Sequence, residues 1–336
     1  MVLEIKNLKV FFKSSQGIVK AVNGVNIDIP KRKTSAIVGE SGSGKSVTSL
    51  AIMGLLDKQS LAEISGEIIF DGKNLLELNK KELRKIRGND ISMIFQEPMT
   101  SLNPALKIGY QMSEVFREHF KADKKTAKMK SIEMIERVEI PRAEEIYNVY
   151  PHELSGGMRQ RIMIAMALSS SPKLLIADEP TTALDVTIQK DVLELINKLK
   201  DDFDTSIMII THDLAVVSDI ADFVNVMYCG KVVERAEAEE LFKNPLHPYT
   251  KGLLRAIPSI HKKKEKLQSI EGSVPNLINL KENCYFNDRC EEVMCKCKEK
   301  EPQEIDINGH KVSCFLYGWY DEWNYFRSKR CFEIFW

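Results

Sequence analysis

A chain of 336 residues, 43% apolar and 29% charged, has room for one large domain and a smaller appendage. Its 48 Lys and Arg are balanced by 48 Asp and Glu, which argues against a nucleic-acid binder, since such a protein normally carries a basic face. No run approaches the roughly 18 apolar residues of a membrane-spanning helix. The opening Met1–Val10 alternates like a strand and lacks the apolar core of a signal peptide. A soluble, cytoplasmic chain is therefore expected, reaching a membrane only through a partner.

Residues 1–38 read as short strands with turns at Ser14–Gly17 and Pro30–Lys33, ending on the buried run Ser35–Val38. A glycine-rich loop follows, then a helix from about Ser46 to Leu56. Glu67–Leu75 reads as a β-hairpin around Asp71-Gly72, and Ile91–Phe95 as an apolar strand. From about Leu102 to Leu168 the spacing is helical. Strands return at Leu174–Ala177 and Ile207–Ile210, around a helix near Ile188–Lys200. This alternation predicts an α/β fold: a mostly parallel sheet flanked by helices, with an antiparallel β-subdomain and a helical insertion at about 97–165. No internal repeat is present, so a single copy of this core domain is expected. A boundary near Pro258 divides 1–258 from a C-terminal module, 259–336, rich in cysteine. The Lys-rich stretches Lys121–Lys130 and Lys262–Lys266 read as solvated surface. Trp319, Trp323 and Phe326 share one stripe at helical spacing, expected to pack on the cysteine module.

Gly39-Glu-Ser-Gly-Ser-Gly-Lys-Ser46 fits the phosphate-loop pattern and lies between a strand and a helix, as that mechanism requires. Gly39, Gly42 and Gly44 let the backbone curl so that its N–H groups face phosphates. Ser41, Ser43 and Val47 complete the expected nucleotide contacts. Lys45 should bridge the β- and γ-phosphates, and the Ser46 hydroxyl should ligate Mg²⁺. The strand Leu174–Ala177 runs into Asp178, placed to hold Mg²⁺, and Glu179, placed as general base for an attacking water. These elements alone would also suit a kinase, a GTPase or a helicase. Leu154-Ser-Gly-Gly-Met158, before a second helix, discriminates: Ser155, Gly156 and Gly157 form a second anion site, which one nucleotide does not need. It is expected to complete the pocket of another subunit.

Together these motifs resemble the ABC ATPase family, a P-loop NTPase group. On that resemblance Gln96 matches the glutamine loop that senses Mg²⁺ and γ-phosphate. Ala183-Leu-Asp185 matches the loop that crosses the dimer interface, with Asp185 at the nucleotide. His212 matches the switch histidine, and Phe12, or its neighbour Phe11, the aromatic that stacks on adenine. His152 is left as structural, and Lys31-Arg-Lys33 lacks a turn glycine usual near Arg32. The segments Phe95–Pro104, Leu154–Arg161 and Asn244–Thr250 resemble ATP-binding subunits of bacterial dipeptide/oligopeptide importers. That resemblance implies ATP hydrolysis powering peptide import from the cytoplasmic face of the membrane. It implies two transmembrane permease subunits, a solute-binding protein acting indirectly, and no nucleic acid. Met158, replacing the commoner signature glutamine, implies a heterodimer with a paralogous ATPase. An importer for nickel or another small solute is the alternative, and a non-transport ABC ATPase acting on nucleic acid is a more distant one.

Six of the seven cysteines crowd the last stretch. Cys284, Cys290, Cys297 and Cys314 follow C-x5-C-x6-C-x16-C, matching the importer family's C-terminal region. Zinc sites usually show tighter pairs, so a [4Fe–4S] cluster is expected, with zinc or unligated core thiols as alternatives. Physics alone leaves Cys295 and Cys297 interchangeable; the resemblance favours Cys297.

Overall fold

The computed structural model describes residues 1–96, 101–181, 185–256, 270–278 and 280–317. The boundary near Pro258, Lys262–Lys266, the aromatic end and Ala183–Leu184 lie outside them.

Two sheets form. The first comprises β1 (Leu3–Ser14), β2 (Gly17–Ile29), β4 (Leu61–Phe70) and β5 (Lys73–Asn74), antiparallel in the order β2-β1-β4-β5. Its second hairpin turns at Asp71-Gly72, both at positive φ (47° and 80°), the geometry whose twist matches paired strands. The second comprises β3 (Thr34–Val38), β6 (Ile91–Ile94), β7 (Leu174–Asp178), β8 (Ser206–Thr211), β9 (Phe223–Tyr228), β10 (Lys231–Glu237), β11 (Ile305–Ile307) and β12 (His310–Val312). Its order is β11-β12-β10-β9-β3-β8-β7-β6, with β9, β3, β8, β7 and β6 mutually parallel.

β3, β7 and β8 are buried at every residue, because both faces of a parallel sheet are covered. Their side chains sort by period two. Ala36, Val38, Leu175, Ala177, Ile207 and Ile209 face one apolar cluster; Ile37, Leu174, Ile176, Met208 and Ile210 face the other. The antiparallel sheet and the helix Lys45–Ile52 close the second cluster. The first is closed by the helices Ile108–Phe120, Lys124–Arg137, Gly156–Leu168 and Val186–Asp202. Each large side chain so buried contributes about 1.5–3 kcal/mol.

Residues 270–317 do not stand apart from this core. β12 pairs antiparallel with β10, and β11 with β12, lengthening the same sheet. Tyr285 and Phe286 are buried in the first cluster. Phe286 meets Tyr228 edge-on at 5.2 Å and Tyr249 at 5.4 Å, geometries aromatic rings prefer. Among the described residues no helix is long and apolar enough to cross a membrane.

Candidate nucleotide site

The parallel strands bring four functional segments to one edge, where their C-terminal ends leave a crevice. β3 delivers the loop 39–44, β6 is followed by Gln96, β7 ends in Asp178 before Glu179, and β8 ends in Thr211 before His212.

In the loop, Gly39 (φ 155°) and Gly44 (φ 100°) are needed for space as well as conformation. A Cβ would lie 2.1 Å from the Met227 carbonyl oxygen at Gly39 and 2.4 Å from that of Ala21 at Gly44. Gly44 is also the N-cap of the helix Lys45–Ile52, with no side chain capping it, so the amide-rich helix start is left to the loop. Ser41 and Gly42 are exposed; Ser43 is buried, and its hydroxyl has no hydrogen-bond partner among the described residues. Lys45 is buried too, its ammonium donating to the carbonyls of Gly39 (2.7 Å) and Glu40 (3.0 Å). Burial holds its pKa below the usual lysine range, against the opposing pull of Glu179, Asp178 and Glu40.

Asp178 is 4% exposed. Burial pushes its pKa up, while the hydroxyls of Ser46 (3.1 Å) and Ser49 (3.3 Å) donate to it and oppose that rise. A desolvated carboxylate beside a hydroxyl fits Mg²⁺, which takes one or two protein oxygens and completes its shell with phosphate and water. Next to it, Glu179 adopts φ 48°, an uncommon conformation for a non-glycine residue and one that marks functional sites. Gln96 Nε2 donates to Glu179 Oε2 at 2.9 Å, and His212 Nδ1 lies 3.4 Å from Oε1. Thus Gln96, Asp178, Glu179 and His212, read separately from sequence, share one cluster with Lys45 and Ser46.

The other expected residues are placed elsewhere. Ser155 caps the helix Gly156–Leu168, its hydroxyl accepting from the Met158 N–H at 3.2 Å, and Ser155 and Gly156 are exposed. Gly157 is half-buried, and a Cβ there would meet Ile188 at 3.1 Å. Asp185 is exposed at the N-cap of Val186–Asp202. Phe12 and Val47 both pack against the second apolar cluster, whereas Phe11 has the Lys20 ammonium 6.0 Å from its ring centre.

Sequence reasoning missed three contributors. Ser49, one turn after Ser46, was readable as a second hydroxyl on the same helix face. Gln160 donates from a buried amide to the Pro180 carbonyl at 2.5 Å, tying the signature helix to the chain just after Glu179. Arg289 grips Glu40 from the far end of the chain, with no local signal.

The expected [4Fe–4S] cluster, and zinc in its place, require correction. Among the described residues no three His, Cys, Asp or Glu side chains are placed to hold a metal ion. Cys284, Cys290, Cys297 and Cys314 carry free thiols. Burial pushes Cys284 and Cys314 up to about 12 and Cys290 to about 11, and raises Cys297 as well. Cys284 and Cys290 pack against the apolar cluster that holds Phe286.

Residues 22–182 match the ABC transporter family, and residues 233–297 the C-terminal region of oligopeptide/dipeptide transporters. The chain is 54% identical over 316 residues to the oligopeptide transport ATP-binding protein AppD of Bacillus subtilis, spanning 94% of this chain and 96% of that protein. It is 49% identical to the dipeptide transport ATP-binding protein DppD of the same organism, over 94% of each. It is 47% identical to the oligopeptide transport ATP-binding protein OppD of Escherichia coli, over 93% and 92%. Among solved structures it resembles the dimeric ATP-binding cassette MJ0796 in a post-hydrolysis state bound to ADP and Pi. There the TM-score is 0.62 at 29% identity, covering 70% of this chain and 98% of the other. The chain belongs to the ABC transporter ATPase family, among the ATP-binding proteins of oligopeptide and dipeptide transport.

Proposed function

We propose that this chain binds Mg·ATP on the loop 39–46 and hydrolyses it to ADP and phosphate, powering import of oligopeptides or dipeptides through a membrane permease. The observation that carries this reading is Glu179, held between Gln96 and His212 on the edge shared with Lys45, Ser46 and Asp178. Ser46, Asp178 and Gln96 would hold Mg²⁺, which would neutralise phosphate charge when bound. Lys45 exchanges its two backbone carbonyls for the β- and γ-phosphates. Glu179 takes a proton from the attacking water, and His212 contacts the γ-phosphate and fixes that carboxylate. Gly39, Ser41, Gly42, Ser43, Gly44 and Val47 line the nucleotide, with Phe12 against adenine.

The Ser155–Gly157 turn, exposed at Ser155 and Gly156, and the exposed Asp185 serve the nucleotide of a second, paralogous ATPase, which this chain meets as a heterodimer. Their exposure supports that reading, since a site used only within the chain would gain nothing from facing solvent. Two permease subunits and, indirectly, a solute-binding protein complete the transporter, with this chain on the cytoplasmic face. We place the nucleotide-binding domain at 1–258 and an appended C-terminal region at 259–336. The test is the assembled transporter in proteoliposomes with its binding protein. Hydrolysis should rise with di- or oligopeptide and vanish in Lys45→Ala. Hydrolysis indifferent to every peptide yet raised by nickel would refute peptide import.

A further inference from the structure

Arg289 ends the short 3₁₀ turn Asn287–Arg289 of the C-terminal segment. Its guanidinium reaches back across the molecule to the second residue of the phosphate loop. Nη1 donates to Glu40 Oε2 at 2.7 Å and Nη2 to Oε1 at 3.0 Å, a two-pronged pair. The fork is itself held in place. Nε donates to the Glu271 carbonyl at 3.0 Å, Nη1 lies 3.4 Å from the Tyr228 hydroxyl, and the group sits 5.8 Å from the Tyr228 ring centre. The arginine side chain is 6% exposed and that of Glu40 29%, so solvent screens the pair only in part.

Glu40 is fixed from two further directions. Its N–H donates to the buried Tyr249 hydroxyl at 2.9 Å, and its carbonyl accepts from Lys45. One residue therefore carries the ion pair to the C-terminal segment and the backbone oxygen on which the loop lysine rests. Its carboxylate belongs to a loop that gathers a polyanion, where an unpaired negative charge opposes binding more strongly as the ligand's charge grows.

We propose that Arg289 is a positioning residue of the ATP site: it neutralises Glu40 and keeps that carboxylate turned onto the C-terminal segment, so that no unpaired negative charge faces the phosphates that Lys45 receives. The inference rests on the loop 39–46 being the ATP site. A segment otherwise remote in sequence thereby becomes part of the nucleotide pocket, and freeing the Glu40 carboxylate from it would lower ATP affinity.

The test is equilibrium titration of the full-length chain with ATP and with ADP. Arg289→Met should raise the Kd for ATP roughly tenfold, a common size for coupling between sites, and that for ADP less. The double variant Glu40→Gln/Arg289→Met leaves no charge unpaired and should return ATP affinity to within about threefold of wild type. A purely structural role predicts the opposite, since the double variant still lacks the strap. If Arg289→Met does not fold, the double variant decides alone: near-native affinity supports the proposal, and a loss of tenfold or more overturns it. Arg289→Met binding ATP as tightly as wild type would also overturn it, leaving the functional reading intact. Wild-type protein that bound no ATP would sink both.

Discussion

Replacing Glu179 by glutamine removes one charge and leaves the side-chain shape intact. The glutamine inherits a backbone position already at φ 48°, so no new strain arises. It keeps an oxygen for the Gln96 amide, now 2.9 Å from the carboxylate, and a polar neighbour for His212 at 3.4 Å. What it cannot do is accept a proton from water. Loss of a positioned general base costs about 10²- to 10⁴-fold in turnover, or roughly 3–5 kcal/mol in the barrier. Binding should go the other way. Glu179 is among the charges that push Asp178 toward its protonated form, so removing it leaves Asp178 more readily ionised for Mg²⁺. It also takes a carboxylate away from the phosphates. Nucleotide Kd and steady-state hydrolysis, measured side by side in the assembled transporter, separate the two effects. Turnover within about threefold of wild type would remove Glu179 from the chemistry. A matching loss of binding and turnover would make it a structural residue.

Ser155→Arg places a long cation on the exposed signature turn and should abolish hydrolysis at the partner's site while the isolated chain still binds ATP. Loss of binding by the folded, isolated chain would defeat the cross-subunit reading. His247 is buried, its Nδ1 accepting from the Tyr249 N–H at 3.0 Å, and burial lowers its pKa to about 4. Folded protein then binds fewer protons than unfolded between pH 6.5 and 4, so stability falls as pH falls through that window. His247→Asn keeps an acceptor for the cap but does not titrate there. The loss between pH 7 and 5, measured by denaturant unfolding, should shrink by roughly 2 kcal/mol; an unchanged loss would contradict the assignment. Arg32 sits at φ 60° with its N–H bonded to the Ser206 hydroxyl, which a glycine would preserve. Arg32→Gly relieves about 1 kcal/mol of left-handed strain and loses only the exposed pair with Asp204. Tm should rise by about 1–4 °C, and a fall would refute the strain argument.

The clustering of the candidate site residues was legible because each part advertises itself within a few residues. A strand, a glycine-rich loop and a helix adjoin in 35–52, and an apolar strand runs directly into Asp178-Glu179. Parallel pairing then places every strand's C-terminal end on one edge, so segments read separately had to converge. Arg32 follows the same local logic: its missing glycine marked a turn, and the structure puts that residue in the left-handed region. β9 and β10, unlike these, were not foreseen. Phe223–Tyr228 and Lys231–Glu237 follow a helix of only seven residues, and β10 mixes Lys, Glu and Arg with valines, because Glu234 and Arg235 find partners from distant segments.

The cysteines misled for a related reason. Spacing along the chain reports which thiols can meet, and says nothing of whether the surroundings favour the thiolate. Here Cys284 and Cys290 pack against the apolar cluster that holds Tyr285 and Phe286, burial pushes both thiols above their ordinary range, and among the described residues no three ligating side chains surround one ion. The stretch that carries them is anchored instead by contacts spread across the chain: β12 on β10, Phe286 between Tyr228 and Tyr249, and Arg289 on Glu40. None has a local signature, because each partner lies at least 37 residues away, as Tyr249 and Phe286 do. Local pattern reveals groups that must act on a common ligand; pairing energy between remote segments shows only once the chain has folded. Glu40 belongs to both classes. In sequence it is an unremarked position inside a phosphate loop, and in the fold it is where the C-terminal segment takes hold of the ATP site.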